Sequence, residues 1–143
     1  MLVISYSAIL VAALVNFVLG FLLHGPIGGK LWMKLAEIHP TGKEKMSDMY
    51  GQMVWNLLVN LVAAYVIAMF FALFKSTPYF LTGGGASNVS IGMIIAFWCW
   101  LGFVVTSTSI DVIWMGKSFK LWAYEAMCSF ICFLAMGAVI GMW

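Results

Sequence analysis

Six polar residues lie within apolar stretches of the sequence, and they could form a site: Asn16, Asn56, Asn60, Ser109, Glu125 and Ser129. A carboxylate among amides and hydroxyls can bind an ion or a small polar solute, and such groups inside a membrane mark solute pathways. Counted along helices at about 1.5 Å per residue from the lysine-rich connections, they lie a few to about 15 Å deep. This placement predicts a small polar vestibule that opens on the lysine-rich side.

A structural interpretation explains the same residues, and we favour it because interhelical polar bonds are ordinary in membrane bundles. In this interpretation Glu125 snorkels to the interface and the asparagines hydrogen-bond between helices. A carboxylate in hydrocarbon must be paired, protonated or in water, so we expect Glu125 to contact Asn16, Asn56 or Lys120. We also expect an interfacial ion pair between Asp111 and Lys117.

Residues for other chemistry are scarce, and we expect no enzyme activity, metal or cofactor. Cys99, Cys128 and Cys132 form no C-x-x-C pair, which favours a packing role. The two histidines, His24 and His39, both lie outside the apolar stretches, so they cannot form a facing pair of haem ligands at depth. The chain has no arginine, which removes the bidentate grip on a substrate carboxylate.

Composition places these residues in a membrane. The chain has 143 residues, of which 64% are hydrophobic and 8% are charged, whereas soluble domains have roughly 25% charged residues. The net charge of +2, without any basic run, excludes a nucleic-acid groove. Four apolar stretches are long enough to cross hydrocarbon, at residues 2–23, 52–74, 91–113 and 121–143. The prediction is an all-α, single-domain bundle of four transmembrane helices.

The connections predict one further helix and an orientation. Leu31, Trp32, Leu35 and Ile38 recur at helical spacing, which predicts a short interfacial helix between the first two spans, with an irregular polar loop as the alternative. Residues 41–44 have the spacing of a capping box before the second span. Six of the seven lysines lie in the first and third connections, so the positive-inside rule places these loops in the cytoplasm and both termini outside the cell membrane.

Small residues predict where the helices pack closely. Ala8, Ala12, Asn16 and Gly20 recur every four residues along the first span. Gly92 with Ala96, and Gly137 with Gly141, have the small-xxx-small spacing that permits close helix contact in the other half of the membrane. We therefore assign Gly20, Gly92, Ala96, Gly137 and Gly141 to helix packing, and we expect the outer half of the bundle to be tight and dry.

A weak internal repeat is present. Leu19-Gly20-Phe21 leads to Gly29-Lys30-Leu31-Trp32, and Leu101-Gly102-Phe103 leads to Gly116-Lys117-Ser118-Phe119. The pattern predicts two helical hairpins of the same orientation, related by an axis along the membrane normal.

At these residues the chain resembles a bacterial/archaeal-type family of four-span membrane proteins known as domain of unknown function 1761. The resemblance rests on Leu19-Gly20, residues 24–35, Trp100-Leu101-Gly102-Phe103, residues 116–122 and residues 136–143. It covers essentially the whole chain. The resemblance implies a four-helix membrane fold, and it supplies no activity, ligand or catalytic residue.

For function, the sequence favours a non-catalytic accessory or structural subunit. Its 23 aromatic residues and 11 methionines exceed what so small a chain can bury internally. The expected partners are membrane lipids and either other membrane protein subunits or copies of the same chain, without nucleic acid. The alternative is a small-solute or ion transporter or channel that uses the predicted vestibule.

Overall fold

A computed structural model describes residues 4–39, 49–77 and 86–143, and the described residues form helices without strands. The helices are α1 (Tyr6–His24), α2 (Gly29–Leu35), α3 (Tyr50–Lys75), α4 (Asn88–Trp114) and α5 (Phe119–Met142). The all-α prediction is confirmed. The predicted capping box at residues 41–44 lies outside the described residues.

Four of these helices, α1, α3, α4 and α5, are long and apolar enough to cross a membrane. Their bounds lie within a few residues of the predicted spans. The short helix expected between the first two spans is α2. Local polar residues fix several ends: the Ser5 hydroxyl accepts a hydrogen bond from the Ala8 amide at 3.4 Å, and Ser87 caps α4 through the Ser90 amide at 3.2 Å.

The bundle is built from two antiparallel hairpins, α1 with α3 and α4 with α5. Helix α5 is central, because it packs extensively against both α4 and α1. Helix α3 packs mainly on α1, and the contact between α3 and α4 is much lighter. The end of the bundle that carries α2 and the α4–α5 turn is called here the lysine-rich end. Gly116, at a φ of 69°, forms the turn at that end, where a left-handed conformation favours glycine.

Most of the buried apolar residues lie toward the opposite end. They include Ala12 and Ala13 of α1, Ala64 and Ile67 of α3, and Met136 of α5, each at most 1% exposed. This half is filled mostly by small and β-branched side chains, which suits van der Waals packing between helices in lipid. The packing of this half is therefore close, as a tight half of the bundle requires.

Glycine permits the closest approach in the bundle, where α4 crosses α5. A methyl group added at Gly137 would lie 2.7 Å from the Ala96 Cβ and against the Gly92 carbonyl, and one added at Gly141 would lie 2.5 Å from the Asn88 carbonyl oxygen. The residues of α4 and α5 assigned to helix packing thus lie in the α4–α5 contact. At Gly20 a methyl group would meet nothing within 4 Å beyond its own helix backbone, so no close approach requires glycine there.

The middle of α4 is a π-helical segment, Trp100–Val105. Its wider turn is followed by four consecutive hydroxyl residues, Thr106 to Ser109, and each hydroxyl donates to a carbonyl of its own helix. Three of the accepting carbonyls belong to the π segment, at Gly102, Phe103 and Val104. Hydroxyl side chains therefore satisfy backbone groups where the regular ladder is altered.

The two hairpins share the same order of helices and motifs, but their helices differ in conformation and packing. Gly20 lies in regular α-helix, whereas Gly102, at the matching place of the repeat motif, lies in the π segment. The contact of α1 with α5 is also far larger than its counterpart, the contact of α3 with α4. The predicted repeat thus describes the order of the helices, and the packing departs from symmetry.

Gly137→Ala should destabilise the protein by about 1–3 kcal/mol, because its methyl group forces α4 and α5 apart. The matched control is Gly20→Ala, which places the same methyl group in open space on α1 and should leave stability equal or slightly higher. The measurement is unfolding by sodium dodecyl sulfate in mixed micelles. Equal effects of the two substitutions would contradict the close α4–α5 contact.

Candidate functional site

A cavity of about 500 Å³ lies between α1, α3 and α5, in the half of the bundle near the lysine-rich end. Five of the six predicted vestibule residues line it: Asn16, Asn56, Asn60, Glu125 and Ser129. Gln52 and His24 also contribute polar groups to its wall. The three helices thus bring together residues that are up to 113 positions apart in the chain, from Asn16 to Ser129.

The inner end of the cavity is marked by a hydrogen bond between α1 and α3. Asn16 Nδ2 donates to Asn60 Oδ1 at 2.9 Å, and the two residues are only 8% and 9% exposed. These are the two buried polar residues among those described. Beyond them toward the opposite end, the interior is the apolar core. The pair therefore forms the floor of the cavity and joins the helices at that depth.

Each of these amides keeps one polar atom that the mutual bond does not use, namely Asn16 Oδ1 and Asn60 Nδ2. Among the described residues, no side-chain nitrogen or oxygen is both fully enclosed and unpaired. The unused amide atoms must therefore retain access to the cavity. An acceptor and a donor, side by side at its floor, are suited to bind the polar group of a solute or water.

Glu125 pairs with a lysine of the α4–α5 connection. Lys117 Nζ lies 2.5 Å from Glu125 Oε2 and 4.0 Å from Asp111 Oδ2, so one ammonium serves carboxylates from both helices. The predicted proximity of Asp111 and Lys117 is confirmed. The expectation that Asn16, Asn56 or Lys120 would be the partner of Glu125 is wrong, because Lys117 reaches back from the turn and occupies that position.

Ser129 is tied to the α4–α5 contact. Trp100 Nε1 lies 3.1 Å from both Ser129 Oγ and the Ala126 carbonyl, and the Ser129 hydroxyl itself donates to that carbonyl at 2.9 Å. Trp100 is the first residue of the π segment, so this segment aims the indole at the backbone of α5. Ser129 therefore lines the cavity while its hydrogen bonds serve helix packing.

Ser109, predicted as a vestibule residue, is not among the residues that line the cavity. Its hydroxyl donates to the Thr106 carbonyl at 2.7 Å within α4, and α4 contributes no residue to the cavity wall among those described. The neighbouring Thr108 is likewise engaged, since it accepts a hydrogen bond from Trp122 Nε1 at 3.0 Å. The hydroxyl run thus supports the π segment.

An aromatic contact closes the bundle beside the cavity at the lysine-rich end. Tyr124 donates a hydrogen bond to the Leu23 carbonyl at 2.8 Å, and His24 stacks edge-on against both Trp32 and Tyr124. Gly28 lies directly against the Tyr124 hydroxyl, where no side chain would fit. Helix α2 is thereby fixed to α1 and α5, next to the wall formed by His24.

The apolar part of the wall consists of aromatic, methionine and cysteine side chains: Phe17, Phe21, Phe133, Met49, Met53, Cys128 and Cys132. Helical spacing places the two cysteines on the face of Glu125 and Ser129, whereas the aromatic and methionine side chains were missed by reasoning from the sequence. The spacing of four between Phe17 and Phe21 was the available signal, and it is indistinguishable from that of a lipid-facing stripe. No group of three or more His, Cys, Asp or Glu side chains suited to a metal ion occurs in the described part of the chain.

The comparison with known families decides what kind of protein this is. Residues 7–141 match the family described as protein of unknown function (DUF1761). The chain belongs to this family. The match covers nearly the whole sequence and agrees with the resemblance carried by the glycine, lysine and tryptophan motifs. No curated protein and no solved structure matches. Together with four apolar helices, the match identifies a membrane protein of this family.

The Asn16–Asn60 bond can be tested by a double-mutant cycle with Asn16→Ala, Asn60→Ala and the double variant. Because the two amides bond each other in a buried place, we expect a coupling energy of about 0.5–2 kcal/mol. Asn56→Ala, combined with Asn16→Ala, is the matched control and should show additive effects. Unfolding in mixed micelles gives the energies. Additive effects of Asn16→Ala and Asn60→Ala would contradict the pairing.

Proposed function

We propose that this member of the family binds a small solute in the cavity between α1, α3 and α5, and that the cavity opens to the cytoplasm. The observation that carries the proposal is the floor of the cavity, where Asn16 and Asn60 keep an unused acceptor and donor accessible. Amides that served only to hold helices together would need no cavity beside them. Here about 500 Å³ of space adjoins them, enough for a small organic molecule.

The arrangement supports solute entry from one side. Exposed residues of α3, Gln52 and Asn56, continue the polar wall from the floor toward the lysine-rich end. On the other side of the floor, α4 and α5 meet at glycine and the core is filled. A pathway across the whole membrane would require this half to open, so transport needs a rearrangement of α4 and α5.

The proposal includes location and reaction class. The lysines of α2 and of the α4–α5 turn favour a cytoplasmic position for the lysine-rich end, with the termini outside a cell membrane. The cavity would then face the cytoplasm. The wall combines one carboxylate with amides and apolar groups, and the Ser129 hydroxyl in it donates to the Ala126 carbonyl, so we propose binding or transport and not catalysis.

Thiol labelling tests both the cavity and its orientation. In a chain whose native cysteines are replaced by alanine, Asn56→Cys should react with a charged, membrane-impermeant methanethiosulfonate added from the cytoplasmic side. The thiol ionises there because water reaches the cavity. The matched control is Leu58→Cys, on the opposite face of α3 at nearly the same depth and 48% exposed, which should lie in lipid and react far more slowly.

The labelling experiment can contradict the cavity and the orientation separately. Equal reaction of Asn56→Cys and Leu58→Cys would contradict a water-filled cavity. Reaction of Asn56→Cys from the outer side alone would contradict the orientation and leave the cavity itself in place. The measurement is the labelled fraction in inside-out and right-side-out membrane vesicles.

A second candidate function is that of an accessory subunit that packs against another membrane protein or another copy of itself. An apolar groove of about 660 Å³ between α3 and α4 favours it. Large side chains such as Phe70, Trp98 and Phe103 line the groove and are exposed on the described structure. The light contact between α3 and α4 leaves room there for a helix of a partner.

If the groove binds a second copy, Trp98→Ala should shift the protein from dimer to monomer. Trp55→Ala is the control, since Trp55 is similarly exposed, at 69% against 63%, and lies outside the groove. Native mass spectrometry from mild detergent reports the mass of the assembly. A wild-type protein that is monomeric at all concentrations would contradict self-association.

A further inference from the structure

The charge inside the cavity selects among possible solutes. Of the described residues that line it, Glu125 is the one acidic side chain, and no lysine is among them. A carboxylate at the edge of a low-dielectric space attracts cations and repels anions more strongly than it would in water. The cavity is therefore electrostatically suited to a positively charged solute.

The structure holds an internal example of the ligand chemistry. Lys117, which is not among the lining residues, folds back from the turn and places its ammonium 2.5 Å from Glu125 Oε2, on the same carboxylate that a cation in the cavity would contact. The same ammonium lies 4.0 Å from Asp111, outside the cavity. When an incoming cation takes Glu125, Lys117 can move toward Asp111 and keep an ion pair. Exchange thus avoids leaving a charge unpaired.

The walls select for an apolar body attached to that cation. Phe17, Phe21 and Phe133 line the cavity, together with Met49 and Met53. Aromatic faces and thioethers bind apolar groups and also attract cations. A hydrated inorganic ion would lose much of its water against such walls and regain few ligands. An amine that carries an aromatic or alkyl group fits both the carboxylate and the walls.

We propose that the cavity binds organic cations, namely amines with an apolar body, and that Lys117 competes with them for Glu125. This inference rests on the proposed function and adds the class of solute and the residue that regulates its access. It predicts opposite effects of two substitutions on the affinity for an organic cation. Removing the carboxylate should weaken binding, whereas removing the competing ammonium should strengthen it.

Three probes of matched size and different charge test the class of solute: 2-phenylethylammonium, 2-phenylethanol and 3-phenylpropanoate. Isothermal titration of the full chain in detergent micelles should show the ammonium binding more tightly than the neutral alcohol, and the carboxylate more weakly still. Glu125→Gln should lower affinity for the ammonium by about tenfold and leave affinity for the alcohol nearly unchanged.

Lys117→Gln should raise affinity for the ammonium several-fold, because the carboxylate no longer has an internal partner. Glu37→Gln is the matched control for Glu125→Gln: it removes one exposed carboxylate just after α2, raises the net charge by the same one unit and should not alter binding. A purely structural ion pair would predict that Glu125→Gln and Lys117→Gln change binding in the same direction. The opposite signs therefore distinguish competition from loss of structure.

Different outcomes of these experiments would overturn different parts of the proposal. Equal affinity for the ammonium and the alcohol, unaffected by Glu125→Gln, would overturn the assignment to cations and leave solute binding intact. Preference for 3-phenylpropanoate would also overturn it. Absence of binding by all three probes to the wild type and to Lys117→Gln, when Asn56→Cys is labelled through water, would overturn the organic-cation class while preserving the open cavity. Absence of both binding and labelling would overturn the proposed function as well.

Discussion

The hydrogen bond between Asn16 and Asn60 lies at the boundary between the close-packed half of the bundle and the half that contains the polar cavity. Polar groups in hydrocarbon must be bonded or hydrated, and apolar groups give helices little reason to associate in lipid. On one side of this bond the helices associate through small residues and close contact. On the other side they separate, and polar side chains share a cavity. The bond holds α1 to α3 at the boundary between these two regimes.

The close-packed half makes the cavity possible. Because Gly92, Gly137 and Gly141 allow α4 to approach the backbone of α5, these two helices form a firm pair. Helix α1 packs against the other side of α5, and α3 follows α1. The cavity then lies among α1, α3 and α5. Helix α4 packs against α5 outside the cavity, and its Trp100 indole bonds to α5. Lys117 links the ends of α4 and α5 by contacting a carboxylate on each.

Periodicity and composition were sufficient to predict the four spans, α2, and the glycine contacts of α4 and α5, because each depends on local patterns or on a repeated spacing. They were also sufficient to bring together Asn16, Asn60 and Glu125, since polar residues in apolar helices must turn inward. Two placements could not be derived from spacing. The partner of Glu125 depends on how the α4–α5 turn folds back, and the position of Ser109 depends on a π segment that no spacing indicates. Gly20, assigned to helix packing, lines the cavity, because small residues also occur beside cavities.

The π segment of α4 makes this helix unusually tolerant of a change in length. A π turn accommodates an additional residue within an otherwise α-helical span, so the residues after Val105 keep nearly the orientation that they would have without it. Losing one residue between Trp100 and Val105 would therefore restore an ordinary helix and leave Asp111 on the side that faces Lys117. Losing one residue from a regular part of α4 would instead turn everything beyond it by about 100°. In an alignment of related sequences, a gap at this segment would thus mark a regular helix that presents the same faces.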